Sequence, residues 1–158
     1  MSSTDALIVT IAVASTWAMT GVIWVIQLVH YPIFDSVDRG DDDALWVRFG
    51  ERHRSSISIV VGPFMAAEGV TGLLLVARPP DGVDRWLTIV ALALMAVAYG
   101  TTALVSVPLH ERLTHRFDTE SHHRLVATNW IRTAAWTLRG LVVAVIATLA
   151  MTATAATV

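Results

Sequence analysis

The side chains in this 158-residue sequence that can do chemistry are six histidines and a few charged residues set inside long apolar stretches; there is no cysteine. Imidazole ligates iron, copper and zinc and exchanges protons near neutral pH. His30, His53 and His110 each stand at the edge of an apolar run, where a helix end would hold the ring at a defined depth. His115, His122 and His123 fall in a polar stretch, where a solvated loop accounts for them. No pair has the H-E-x-x-H spacing of a helix-borne zinc site. His110-Glu111 and His115 make a five-residue step, which does not keep two side chains on one helical face. A metal site must therefore be assembled by topology, with His30, His53 and His110 as its ligands. The cofactor expected is a transition metal (iron, copper or zinc) or a haem, against the plainer reading that interfacial histidines satisfy backbone and headgroups. The lack of cysteine excludes disulfides, cysteine-ligated iron–sulfur clusters, c-type haem attachment and thiol relays.

Polar residues recur at helical spacing inside the apolar runs, which marks faces turned into a bundle. The first run carries Trp17, Thr20, Trp24, Gln27 and Tyr31; the second Arg54, Ser58, Met65, Glu68 and Gly72; the third Tyr99, Thr102, Ser106 and His110; the fourth Asn129, Arg132, Trp136 and Arg139. Helix packing suffices to explain Ser58, Thr102, Ser106 and Gly72. It does not explain Glu68 and Arg139, because a charge near the bilayer centre costs ~2.5–3.5 kcal/mol or more. At 1.5 Å per residue both lie ~14–16 Å from one end of their spans, so they can meet as an ion pair. Glu68, Arg132 and Arg139 are the catalytic candidates, Glu68 alternatively being a proton carrier or only an ion-pair partner. Gln27, Arg54, Trp24, Tyr99, Asn129 and Trp136 are candidates for holding cofactor or substrate.

The elements that must position these groups follow from composition. With 54% hydrophobic residues, 15% charged and a mean hydropathy of +0.60, the chain does not read as a soluble domain. Four stretches, 6–29, 57–76, 86–107 and 130–150, reach the roughly 20 residues that a ~30 Å hydrocarbon core requires. The fold class is an all-α membrane protein, a single four-transmembrane-helix bundle over 1–158. No Lys or Arg precedes the first span, so it reads as a retained helix and not as a cleaved signal. Arg39, Arg48, Arg52, Arg54, Arg112, Arg116 and Arg124 flank the spans on one side, against Arg78 and Arg85 on the other. The positive-inside rule then places the loops 31–56 and 108–129 in the cytoplasm and both termini outside. A Gly62-Pro63 kink is expected in the second span. Between the first two spans, Asp41, Asp42 and Asp43 read as the cap of a short interfacial helix with Leu45, Trp46 and Phe49 on its apolar side.

The segment VPLHERL, followed by NWIRTAAWTLRGLVV, resembles the ending of small four-helix membrane proteins of the anthrone oxygenase-like family. In that family a proline-asparagine pair follows the third span, and tryptophan, histidine and arginine open the fourth. Here His110 stands two residues after Pro108, and Asn129 stands near the family's histidine. The resemblance covers about the C-terminal third; Pro108, Trp130 and Arg132 carry over, and it implies oxidation of a lipophilic aromatic substrate.

Together these observations point to a membrane oxidoreductase, an oxygenase being what the resemblance implies, with histidines holding metal or haem on the cytoplasmic side. Its substrate would enter between helices lined by Trp24, Tyr99, Trp130 and Trp136. Alternatives are a small proton-coupled transporter working through Glu68, or a non-catalytic membrane subunit. The expected partners are the lipid bilayer, a lipophilic small molecule and a second copy of the chain. No basic face suits nucleic acid, and the expected location is a bacterial inner (plasma) membrane. Reporter fusions at Val158 and within 35–43 test the orientation: the first is expected to report outside, the second cytoplasmic. A cytoplasmic signal at Val158 would overturn it.

Overall fold

The computed structural model describes residues 1–34, 44–115 and 117–156, without the side chains of Phe34, Ala44, Leu45 and His115. Helix α1 runs Ser3–Val25 and continues through a π-helical turn, Ile26–His30, into Tyr31–Phe34. Helix α2 is Ala44–Ala77. Helix α3 runs Arg85–Thr101 and continues through a second π-helical turn, Thr102–Ser106, into Val107–His115; helix α4 is Thr119–Ala155. All four are long and apolar enough to cross a membrane. Large apolar side chains such as Leu28, Ile59, Leu73, Leu104 and Leu141 cover the outside of the bundle, the arrangement that lipid solvates and water does not.

The helices pack in a ring, α1 against α2 and α4, and α3 against α2 and α4. Caps and turns close one end. The Ser2 hydroxyl accepts from the Asp5 N–H at 3.1 Å, the N-terminal amine lies 3.5 Å from Asp81, and Arg78 lies 3.6 Å from Asp5. The turn between α2 and α3 packs on the last turns of α4. There Gly82 has φ 76°, and a Cβ on it would come 2.5 Å from Ala153 Cβ, so both conformation and space demand glycine. Both termini and this turn thus share one end of the bundle. The other end carries the histidines. At that end Asp118 caps α4, and the hydroxyl and N–H of Ser121 hold its carboxyl below the usual carboxylate range.

The helices outrun the apolar windows read from sequence. Span 2 begins at Ala44 where residue 57 was expected, and span 4 at Thr119 where 130 was expected. The reason is that hydropathy marks only the hydrocarbon-thick portion of a helix, whereas backbone hydrogen bonding continues beyond it wherever packing supports it. Four expectations are corrected. The stretches 44–56 and 108–115 are helix and not loop. There is no separate interfacial helix at Trp46 and Phe49: Trp46 is buried inside α2's first turns, donating to the Leu113 carbonyl of α3 at 2.5 Å. The aspartates 41–43 lie outside the described residues. His122 and His123 are helical, and His122 is buried against Phe117. Gly62-Pro63 does not interrupt α2, which remains one helix through Pro63.

The core divides into two apolar clusters. Near the termini lie Val9, Ala12, Leu75, Ala91, Val143 and Ile146; toward the histidines lie Met19, Ile23, Tyr31, Trp46, Leu125 and Trp136. At the seam between them stand Glu68 and Arg139, both fully buried, with Arg139 Nε donating to Glu68 Oε1 at 3.1 Å. Trp136 Nε1 donates to Glu68 Oε2 at 3.0 Å, and the Tyr99 hydroxyl lies 3.4 Å from the same oxygen while donating to the Met65 carbonyl at 2.6 Å. Arg139 also donates to the Ala91 carbonyl at 2.6 Å. The pair ties α2 to α4 and, through Tyr99 and Ala91, to α3. Removing either charge strands the other in an apolar interior, for which a loss of ~3–5 kcal/mol is expected. Removing both is expected to be milder. A double-mutant cycle with Glu68→Gln and Arg139→Met, read as thermal stability in detergent, checks this; strictly additive losses would show that the two do not couple.

Candidate functional site

Two matching local features build the histidine end. In each π turn one residue more than an α-helical turn is accommodated, and a backbone hydrogen bond spans five residues: Tyr31 N–H to Ile26 O in α1, Val107 N–H to Thr102 O in α3. Each turn ends two residues before a proline, Pro32 or Pro108. A proline in a helix lacks the N–H for the i−4 carbonyl and its ring crowds that carbonyl. The extra residue relieves the crowding, and it rotates everything beyond it by about 100° relative to a regular α-helix. That rotation sets where His30, Tyr31 and His110 face.

The three imidazoles lie at one level. His30 Nε2 and His53 Nδ1 are hydrogen-bonded at 2.8 Å, with ring centroids 4.3 Å apart; His53 and His110 centroids are 5.6 Å apart. His110 Nε2 is 3.2 Å from the Tyr31 hydroxyl. On α4, Asn129 Nδ2 donates to Gln27 Oε1 at 2.7 Å, and Arg132 donates to Ser106 Oγ at 2.9 Å with its guanidinium 5.6 Å from the Trp136 ring centre.

Two spaces adjoin these groups. An outer groove of about 600 Å³ opens between α1 and α2, walled by Trp17, Gly21, Val25, Ile57 and Val60, and ends at His30, His53 and Ser56. An inner cavity of about 130 Å³ lies within the bundle against Arg54, His110, Ser106 and Arg132. Val22, Ile26, His53 and Ile57 line both and form the partition between them.

Several sequence candidates go elsewhere. Glu68 and Arg139 line neither space. Tyr99 and Trp136 are engaged around Glu68, and Trp136 is fully buried, so it does not guard an entrance from lipid. Trp24 and Trp130 pack edge to face on the outside of the bundle, with Trp24 Nε1 donating to Thr137, and line neither space. Gln27 and Asn129 are bonded to one another. Arg54 and Arg132 do face the inner cavity. Residues not singled out as site members prove central: Tyr31 and Ser106 as partners of His110 and Arg132, and Trp17 as a wall of the groove. Tyr31 and Ser106 lay on the polar stripes, and the missing signal was the π turns, each two residues before a proline, that set how those stripes turn.

Among the described residues, no three His, Cys, Asp or Glu side chains already converge as a ligand shell. The His30 and His53 nitrogens aim at each other and His110 turns toward Tyr31. Two imidazoles on one tetrahedral ion with bonds of 2.0–2.1 Å would stand roughly 3.3 Å apart, so an ion would require only a small opening of the 2.8 Å contact. A haem fits less well, because rings in contact leave no room for a macrocycle between axial ligands.

Comparison of the chain with protein families, curated proteins and solved structures gives no match. Of the three residues carried by the family resemblance, Arg132 alone reaches a cavity wall near the imidazoles; Trp130 is on the outer face of the bundle and Pro108 borders a separate surface hollow.

The π turn in α3 generates a sharp expectation. Deleting Leu104, exposed on the outside of the bundle, is expected to convert the turn to regular helix and to swing His110 by about 100° without removing a core side chain. Helix content by circular dichroism should persist. In the wild type, Tyr31→Phe should shift the His110 imidazole nitrogen resonances; in the deletion variant it should not. An unchanged response would show that the π turn does not aim His110.

Proposed function

We propose that this chain is a membrane-embedded oxidoreductase that draws a lipophilic substrate from the bilayer into the groove between α1 and α2 and presents it to a transition-metal site at His30, His53 and His110. The observation that supports the reading best is the groove itself. Its size falls in the usual range for small-molecule sites, its walls are apolar, and its polar groups are gathered at one end, where two imidazoles meet. A bound metal would supply redox or Lewis-acid chemistry there. The protein's own part is to exclude water along the groove, to set the depth of the substrate's polar end, and to hold or accept a proton at the His30–His53 contact.

Glu68 fits a carrier poorly. Its carboxylate is held by Arg139 and Trp136 inside a packed layer, and lines neither space, so no pathway reaches it without breaking the bundle's central contacts. It serves as a structural anchor in this reading.

Bound iron, copper and zinc measured per chain test the metal site. The wild type is expected to carry, or to take up on reconstitution, about one ion. His30→Ala, His53→Ala and His110→Ala are each expected to weaken it by an order of magnitude or more, consistent with loss of a ligand, while Trp24→Phe on the lipid face leaves it unchanged. A wild type that binds none of the three metals, or full loading in all three alanine variants, overturns the proposal.

A further inference from the structure

Arg132 and Arg139 stand two helical turns apart on the same face of α4, yet among the described residues only Arg139 has a counter-charge. Arg132 is 8% exposed. Its protein contacts are neutral: the Ser106 hydroxyl, the Tyr31 hydroxyl and the face of Trp136. Its Nε has no hydrogen-bond partner. Among the described residues no carboxylate lies within ion-pairing distance of it, and none lines the inner cavity on which it borders. A second arginine, Arg54, faces the same cavity. A buried guanidinium without an anion is expensive, since arginine remains protonated in proteins. Here that one buried guanidinium, the exposed Arg54 and two hydroxyls border a space already open, where a planar donor fork can take an oxyanion.

The cavity's size and walls define what the anion carries. Its volume is about 130 Å³, close to the roughly 150 Å³ of an apolar protein cavity that accepts benzene. Beyond the arginines the walls are mixed: Ser58, Thr102 and His110 are polar, whereas Ile23, Ile57 and Val61 give an apolar side that suits a small apolar body. We propose that the inner cavity binds an organic oxyanion of about one ring's size, a carboxylate or phenolate, with its charged oxygens on Arg132. His53, which lines both cavity and groove, stands where the ligand's body passes from one to the other. The site uses no metal, and it stands whether or not the imidazoles ligate one.

The test uses the full chain, freed of metal, in non-ionic detergent and in nanodiscs, with benzoate, its neutral isostere benzamide, and formate as probes. Benzoate is expected to raise the melting temperature and to bind at least tenfold more tightly than benzamide and formate. Equal binding of benzamide would show that charge is not recognised and overturns the proposal. Equal binding of formate would show a site for small soluble anions and overturns the assignment of an apolar body. Loss of the benzoate response in nanodiscs of anionic but not zwitterionic lipid would assign the site to lipid headgroups and overturns it as well. Arg132→Gln should lower benzoate affinity at least tenfold while benzamide binding is unmoved, and Arg132→Lys should retain part of it. Unchanged benzoate binding in a folded Arg132→Gln overturns the role of Arg132. If that variant does not fold, the Arg132→Lys variant and the wild-type contrast of benzoate with benzamide decide the matter.

Discussion

The ion pair between Glu68 and Arg139 is the constraint around which this bundle is organised. Two charges in the middle of four apolar helices are tolerable only if each meets the other and most of the remaining donors and acceptors find partners nearby. Those demands fix much else. Trp136 must face Glu68, Tyr99 must reach across from α3, and the Ala91 carbonyl must accept from Arg139. The apolar clusters lie above and below this layer and not through it. A pair of this kind adds little net stability compared with a well-packed apolar alternative, but it penalises any rotation or slip of α2 against α4 that would part the charges. It fixes which faces of these helices meet, and therefore which side chains arrive at the histidine end.

At that end the constraint changes from charge to backbone. Prolines at matching offsets in α1 and α3 accompany π turns that rotate the last helical segments. In α2 a proline sits in an uninterrupted helix, so proline alone does not compel the irregularity. What α1 and α3 have in common is a buried polar residue inside the π turn, Gln27 and Ser106, that bonds to α4. The extra residue lets those side chains face α4 while His30 and His110 still face α2. A regular helix would satisfy one of the two demands and not both.

Sequence made the four helices legible because each apolar stretch is long enough to leave no alternative, and it made the charge pair legible because intramembrane charges need partners. Depth arithmetic sufficed to bring Glu68 and Arg139 together. The ends of the helices were not legible, since His53 and Trp46 sit in a polar, arginine-rich segment whose helical state depends on packing against α3. Nor was the division of the aromatic residues. Trp24, Trp130 and Trp136 look alike in sequence, but the first two lie on the outside of the bundle and the third is buried, a difference of facing that tertiary contacts decide. Tyr31 and Ser106 were hidden for the same reason: their importance lies in what they touch.

The two buried arginines of α4 show how physical accounting separates a structural residue from one held ready for something else. They share a helix, a face and a chemistry, and from sequence both look like the same device. Arg139 has its carboxylate within 3.1 Å and a carbonyl for a second donor, with Nη2 alone left without a partner, and it lines neither the groove nor the inner cavity. Arg132 has hydroxyls and an aromatic face in place of a carboxylate, and open volume beside it. Were Arg132 only a packing element, an uncharged side chain of similar length would fill its place at lower desolvation cost and without bringing the like charge of Arg54 to the same cavity. Among the described residues this fold pairs one arginine with a carboxylate and leaves the next without an anion, two turns away and against a cavity of ligand size, which is the contrast that supports a ligand supplying the missing charge.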